Sequence, residues 1–224
     1  MTIQPFKPLL PVLLLLSALV MAAETRIYRE TTGGEKEIHT YTIVPMGAGY
    51  AVRLVRQGGD NRIEEEMETD ASFSTLKWTF RDATQKTDLS ARRSENVIEL
   101  TGTHEGDSIR KTFKIDSNSW RQLFSIDFEP LARGPEKSAR FWSIGTAGPG
   151  KMKIAAFTFK IVGEETIEWR GKPLRAVRVR IALAGLLSIF WHGDYWFDTA
   201  DGRYLRYRGK GKGGAPSTKE LRDK

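Results

Sequence analysis

The residues best suited to chemistry lie near the carboxyl end of the chain, in its densest aromatic cluster, residues 190–198. If this segment is a strand, alternate side chains lie on opposite faces. One face then carries aromatic side chains typical of a core. The other carries His192, Asp194 and Trp196, whose imidazole, carboxylate and indole groups could bind a ligand. A structural hydrogen-bond network formed by the same side chains is the simpler alternative.

A second segment matches a phosphate-binding loop only in part. Residues 145–151 contain the two glycines and the lysine of that motif at the expected spacing. Met152 stands where the motif needs a hydroxyl group to hold magnesium, and Pro149 lacks the backbone N–H that would bind phosphate. We interpret the segment as a turn and predict no cofactor.

The sequence contains no motif for metal binding or covalent catalysis. The three histidines, His39, His104 and His192, are far apart, and nothing in their spacing favours a zinc site. The chain has no cysteine, which excludes disulfides, thiolate ligands and cysteine nucleophiles. Adjacent carboxylates, such as those of residues 64–66, would alternate between the faces of a strand. A catalytic pair would therefore need distant strands, and we assign neither catalytic residues nor a metal site.

The elements that must position these residues are strands. After the first two dozen residues, apolar and polar side chains mostly alternate, as they do over residues 175–183 around Val179. The same alternation over residues 123–128 predicts another strand. Turn signals separate these runs at short intervals, the strongest being the Asp-Gly pair at 201–202.

The sequence therefore predicts an all-β protein with about a dozen strands, mostly in antiparallel meanders, and little helix. Because twist accumulates from strand to strand, so many strands are expected to curl into a single large curved sheet, as a half-barrel or a barrel-like meander. We predict one β domain over residues 23–224. The irregular segment 132–151 is expected to join its N- and C-terminal halves.

The first 22 residues have the composition of a cleavable signal peptide. An apolar run of 13 residues, Leu9 to Met21, is too short to cross a hydrocarbon core of ~30 Å. Val20 and Ala22 place short side chains at the −3 and −1 positions of a cleavage site. An uncleaved N-terminal anchor is the alternative. We expect a protein exported to the periplasm or otherwise out of the cytoplasm.

The chain is basic, with 35 lysines and arginines against 28 acidic residues. Its cations are spread along the predicted strands, except for a cluster in residues 203–212, where Tyr204 and Tyr207 lie among them. Such a mixture can bind nucleic acid, but export makes nucleic acid an unexpected partner. Anionic lipid headgroups or envelope polysaccharides are the available functional partners. Charges that protect a solvated edge strand are the simplest interpretation.

The C-terminal half resembles a set of uncharacterised secreted bacterial proteins. The resemblance covers roughly residues 163–221. Its specific part is Trp-His-Gly-Asp-Tyr-Trp-Phe-Asp at 191–198 together with the hairpin Asp-Gly-Arg-Tyr-Leu-Arg-Tyr at 201–207. These families of unknown function are thought to share a curved antiparallel sheet with the periplasmic lipoprotein carriers. The resemblance implies a last strand or ordered tail near residues 213–221, and it assigns no catalytic residue.

Two classes of function remain open from the sequence. The first is a non-enzymatic envelope protein that binds an apolar or lipid-like ligand in the concave face of its sheet, with His192, Asp194 and Trp196 as ligand-binding residues, or that acts as an assembly factor. The second is a hydrolase of an envelope polymer with acid–base residues from distant strands. The absence of a nucleophile, metal or cofactor motif favours the first class.

The signal-peptide interpretation predicts a mature protein that begins at Ala23. N-terminal sequencing of exported protein should show Ala-Glu-Thr as its first residues. Recovery of exported protein that still carries Leu9 to Met21 would show that the segment is an anchor instead.

Overall fold

The structure, a computed structural model, describes residues 22–146, 151–189, 191–211 and 214–222. The N-terminal half of the described chain forms an antiparallel meander of eight strands. These strands are β1 (Glu24–Thr32), β2 (Glu35–Met46), β3 (Gly49–Gly58), β4 (Asn61–Asp70), β5 (Thr75–Asp82), β6 (Thr87–Ser94), β7 (Val97–His104) and β8 (Asp107–Lys114).

Seven further strands follow in the described part of the C-terminal half. They are β9 (Ser119–Trp120), β10 (Ser138–Thr146), β11 (Met152–Trp169), β12 (Lys172–Leu183), β13 (His192–Asp198), β14 (Tyr204–Lys210) and β15 (Pro216–Leu221). All neighbours pair antiparallel except β9 and β10, which are parallel. The last strand, β15, pairs with the first, β1, so that all fifteen described strands form one sheet.

The predicted all-β fold with a large curved sheet is confirmed. The sheet does not close, because β8 and β9 lie at its two ends and do not pair with each other. It nevertheless curls. Lys111 of β8 donates a hydrogen bond to the carbonyl oxygen of Met152 in β11 at 2.8 Å. Trp120 and Ile144 near one end of the sheet belong to the same buried cluster as Trp78 and Ile98 near the other.

The main core lies on one face of this sheet, here called the inner face. Strand β12 shows how alternation builds it, since Val177, Val179 and Ile181 are buried in the main core cluster. Arg178 and Arg180, at the alternate positions, form ion pairs on the opposite, outer face. The register predicted for this strand is therefore confirmed.

The two meanders are joined by residues 115–137, which lie earlier than the predicted junction at 132–151. Strand β10 occupies part of the predicted junction, and residues 147–150 are outside the described chain. The connection contains β9, a 3-10 helix (Ile126–Phe128) and a short helix α1 (Glu129–Arg133). Its residues 119–133, here called the inner segment, contribute to the main core cluster.

The strand predicted over residues 123–128 is wrong. The Asp127 carboxylate accepts hydrogen bonds from the backbone N–H groups of Gln122 and Leu123, which turns the chain locally instead of extending it. Pro130 at the start of α1 then favours helical geometry. The alternation of apolar and polar residues wrongly predicted a strand here, because Ile126, Asp127 and Phe128 are all buried.

No helix in the described ranges is long and apolar enough to span a membrane. Residues 1–21 lie outside the described chain, so the signal peptide stays a prediction. The partial phosphate-loop motif at 145–151 also falls largely outside it. Strand β1 begins at Glu24, two residues after the predicted cleavage site.

Replacing Val179 by Asp should strongly destabilise the protein. The side chain is fully buried in the middle of β12, so the variant would place an unpaired carboxylate in the main core. We expect a loss of roughly 3–5 kcal/mol in the free energy of unfolding, measured by urea denaturation. The matched control is Val44→Asp, because Val44 is 39% exposed. Equal stabilities of the two variants would contradict the inner-face assignment.

Candidate functional site

The inner segment is attached to the sheet by a buried carboxylate. Glu129 in α1 accepts a hydrogen bond from the Arg26 guanidinium in β1. It accepts another from the backbone N–H of Tyr204 in β14 at 2.8 Å. Burial raises the pKa of Glu129, while Arg26 and the Tyr204 N–H oppose that rise. The segment therefore lies against the region of the sheet in which the first and last strands pair.

A second attachment involves Arg121. Its guanidinium donates to the carbonyl oxygens of Ser72 at 3.0 Å and of Asp127. Burial raises the pKa of Asp127 to about 7, although the nearby Arg121 charge and two backbone N–H groups lower it. Arg121 thus links the inner segment to the turn between β4 and β5.

Gln122 joins the inner segment to β10. Its side-chain amide donates to the carbonyl oxygen of Ile144 at 2.7 Å and accepts from the Ile144 N–H at 3.1 Å. Gln122 also contributes to the walls of three cavities, which are lined by both the inner segment and the sheet. The three cavities therefore adjoin at Gln122.

The largest of these cavities, here called the apolar cavity, has a volume of about 770 Å³. Its wall includes Phe124, Phe157 and Trp191, whose rings contact one another edge to face with centroids 5.1 to 6.0 Å apart. Arg140 and Lys153 are the charged residues of its lining. A volume of this size is in the range of cavities that bind small organic ligands.

Exposed apolar side chains lie beside the apolar cavity. The 3-10 helix Gly185–Ile189 carries Leu186, Leu187 and Ile189, which are 91%, 55% and 77% exposed. Leu187 also lines the cavity. Large apolar side chains grouped in this way on a surface are typical of a site that contacts lipid or another apolar partner.

The second cavity, here called the polar cavity, has a volume of about 270 Å³ and a different lining. Its wall combines four tyrosines with charged residues: Tyr41, Tyr195, Tyr204, Tyr207, Glu30, His39, Arg56, Glu65 and Lys219. Strand register explains the charged cluster. Lys219 of β15 lies opposite Glu30 of β1, and His39 of β2 lies opposite Arg56 of β3. The polar cavity therefore lies over the β1–β15 pair.

The charges in the polar cavity neutralise one another. Lys219 pairs with Glu30 at 3.1 Å, and Arg56 pairs with Glu65 at 2.8 Å. Burial opposes ionisation of Glu30, but the Lys219 charge and hydrogen bonds from Ser217 and Lys219 lower its pKa to about 2. The cavity thus contains two satisfied ion pairs and no net charge from these four residues.

His39 is held in its neutral form. Burial and the nearby Lys219 charge lower its pKa to about 2, although Glu30 opposes this. Its Nε2 lies 3.2 Å from carboxylate oxygens of both Glu30 and Glu37. Since carboxylates accept hydrogen bonds, the proton belongs on Nε2 and the Nδ1 lone pair is an acceptor. Nδ1 has no partner among the described residues.

The predicted ligand-binding residues lie on the outer face of β13. Trp196 is 6% exposed and belongs to an outer-face cluster with Ile167 and Leu205. Its indole N–H donates to Glu165 at 2.5 Å. His192 is exposed, and these three side chains do not line the inner cavities described above. Ligand binding by His192, Asp194 and Trp196 stays a prediction, and it concerns the outer face.

Asp194 takes part in an ion-pair network there. It accepts hydrogen bonds from Arg178 at 2.6 Å and from Arg180 at 2.8 and 3.0 Å. Partial burial opposes its ionisation, but these hydrogen bonds lower its pKa. The Arg178 guanidinium also lies 5.6 Å from the Trp196 ring centroid. These contacts account for Asp194 and Trp196 as structural groups.

Within the basic run at 203–212, the described side chains lie on both faces of the sheet. Tyr204 and Tyr207 face the inner core, whereas Arg206 pairs with Glu220 at 2.7 Å. Strand β14 lies between β13 and β15, so the interpretation of this run as a protected edge strand is wrong. Contact of the chain with an anionic membrane surface stays a prediction.

Sequence reasoning missed the polar cavity because its residues come from strands far apart in the chain. One signal was present in β1. Tyr28 and Glu30 are two residues apart, so an inward Tyr28 implies an inward Glu30. No comparable signal indicated that Lys219 would lie opposite Glu30. Across the described ranges, no group of three or more histidines and carboxylates is arranged to hold a metal ion.

The neutral state of His39 predicts a specific acid sensitivity. The unfolded chain binds a proton near pH 6.5, whereas folded His39 binds one only near pH 2, so acid favours unfolding. Between pH 7 and pH 5 the wild-type protein should lose about 2 kcal/mol of stability that His39→Gln does not lose. Urea denaturation at both pH values measures this. His192→Gln, at an exposed histidine, should behave as wild type. Equal acid losses in His39→Gln and wild type would contradict a neutral His39.

Two solved structures are similar to this chain at low sequence identity. The hypothetical lipoprotein YmcC from Escherichia coli (K12) is 11% identical, with 89% of this chain and 84% of that chain covered and a TM-score of 0.43. A DUF1329 family protein from Desulfovibrio piger is 7% identical, with 90% and 83% covered and a TM-score of 0.28. No protein-family model and no curated protein matches the chain. Both neighbours are bacterial proteins of unknown function, as the sequence resemblance implies, and neither provides an activity or a ligand for this chain.

Proposed function

We propose that this chain is an exported cell-envelope protein that binds an apolar or lipid-like ligand in the apolar cavity on the inner face of its sheet. The observation that carries the proposal is the aromatic wall formed by Phe124, Phe157 and Trp191 around about 770 Å³ of space. Burying an apolar chain there removes its surface from water, at roughly 25 cal/mol per Å². A role as an envelope assembly factor is compatible with the same binding.

The surroundings of the cavity suit an amphiphilic ligand. Leu186 and Ile189 are exposed on the same 3-10 helix as Leu187, which lines the cavity, and they offer an apolar surface along which an acyl chain can leave a lipid environment. Lys153 lines the cavity on the same side of β11 as Phe157 and provides a cation for an anionic headgroup. Entry of the apolar part and retention of the headgroup are therefore both served by residues of the cavity lining and of the 3-10 helix that contributes Leu187 to it.

The alternative, a hydrolase of an envelope polymer, has less support. A general acid near neutral pH needs a carboxyl group with a raised pKa in contact with the substrate. Glu30 lines the polar cavity, but its pKa is lowered to about 2. Asp127 has a raised pKa, yet it is fully buried and is not part of the described lining of the inner cavities. These positions favour binding over acid–base catalysis.

Filling the apolar cavity should displace the ligand. Ala155 lies in β11 on the same side as Phe157 and lines the cavity, so Ala155→Phe adds a ring to that space. We expect wild-type protein, purified in its folded state, to carry lipid detectable by native mass spectrometry. Ala155→Phe should lose most of that lipid and keep the far-UV circular dichroism of the wild type.

The matched control is Thr158→Phe, which adds a ring to the same strand on the opposite side. It should retain the lipid content of the wild type. Folded wild-type protein without bound lipid after export in its host, or equal lipid content in the two variants, would contradict the proposal.

A further inference from the structure

The polar cavity contains hydrogen-bonding groups that the described residues do not satisfy. The Tyr204 hydroxyl, His39 Nδ1 and Arg56 Nε are buried and have no partner among them. An unpaired buried polar group costs about 1–3 kcal/mol, so three in one cavity are expensive unless something binds there. All three residues line the same 270 Å³.

These groups differ in what they can accept and donate. His39 Nδ1 is an acceptor, because the ring proton lies on Nε2 beside Glu30 and Glu37. Arg56 Nε is a donor, and the Tyr204 hydroxyl can do either. A molecule that satisfies all three must therefore present both donors and acceptors within a short distance, as adjacent hydroxyl groups do.

The charge of the cavity selects against ions. Lys219 and Arg56 are already paired with Glu30 and Glu65. An anionic or cationic ligand would have to compete with these pairs and would lose its own hydration without a free counter-charge. A neutral ligand avoids that cost.

We propose that the polar cavity is a binding site for a neutral polyhydroxylated molecule, one sugar ring in size. Its volume of about 270 Å³ is near the lower limit for ligand cavities, which suits a single ring. Tyr195 and Tyr207 in its wall, with ring centroids 4.9 Å apart, offer apolar surfaces for the C–H face of a sugar. This site does not depend on lipid binding in the apolar cavity.

Saturation-transfer difference NMR on the full mature protein tests the site. The neutral probes are glucose, mannose and N-acetylglucosamine, and the charged probes are glucuronate and glucosamine at the same concentration. We expect saturation transfer to at least one neutral sugar and weaker transfer to both charged sugars. Transfer to no neutral sugar, or stronger transfer to glucuronate or glucosamine, would overturn the proposal.

Variants at two tyrosines distinguish a role in sugar binding from a role in stability. Tyr204→Phe removes a hydroxyl that has no partner among the described residues, so thermal stability should be equal to or above that of wild type, while sugar affinity falls about tenfold. The control is Tyr28→Phe. The Tyr28 ring stacks on Tyr204, but its hydroxyl donates to the Tyr204 carbonyl oxygen at 3.0 Å, and Tyr28 is not part of the described cavity lining.

Tyr28→Phe should therefore lose thermal stability and keep its sugar affinity. If both variants lose affinity equally, the effect is one of packing and the proposal fails. Lipid content should be unchanged in Tyr204→Phe. If the protein binds sugar but carries no lipid, the function proposed above is contradicted and the sugar site is not.

Discussion

The ion pair between Glu129 and Arg26 holds the inner segment in place, and the internal cavities depend on that position. Glu129 lies in the connection between the two meanders, whereas Arg26 and the Tyr204 N–H belong to strands from opposite ends of the chain. All three meet in a buried environment, where a lone charge would be very costly. The sheet alone would leave its inner face open. With the segment attached, that face carries several cavities that are partly open to solvent.

The inner face changes character across the sheet. Near β10 and β11 it is aromatic, with Phe124 of the inner segment contacting Phe157. Over the pairing of β1 with β15 it carries ion pairs and tyrosine hydroxyls. Both Gln122 and Phe124 line the two cavities, so the regions adjoin at the inner segment. An aromatic region and a polar region therefore lie side by side on the same inner face.

The outer face of the C-terminal strands shows how side chains suited to ligand binding also take part in structural contacts. In the sequence, the side chains best suited to bind a ligand are those of His192, Asp194 and Trp196. In the structure, Asp194 bridges two arginines and Trp196 completes a small outer cluster. The polar cavity, by contrast, uses residues such as Lys219 that look ordinary in the sequence. Chemistry depends on which face a side chain occupies and on what lies opposite it.

Apolar–polar alternation in the sequence is enough to predict the all-β class, the antiparallel sheet and the buried face of β12, because period-two alternation is a local property of a strand. The number of strands predicts that the sheet is curved. That alternation gives a wrong prediction at residues 123–128, where a buried carboxylate bends the chain and five of the six residues are buried. The pairing of β15 with β1, which brings Ser217 to within 2.7 Å of Glu30, is visible only in the folded structure. Pairing between strands nearly two hundred residues apart depends on how the two meanders pack together. No local pattern in the sequence encodes that arrangement.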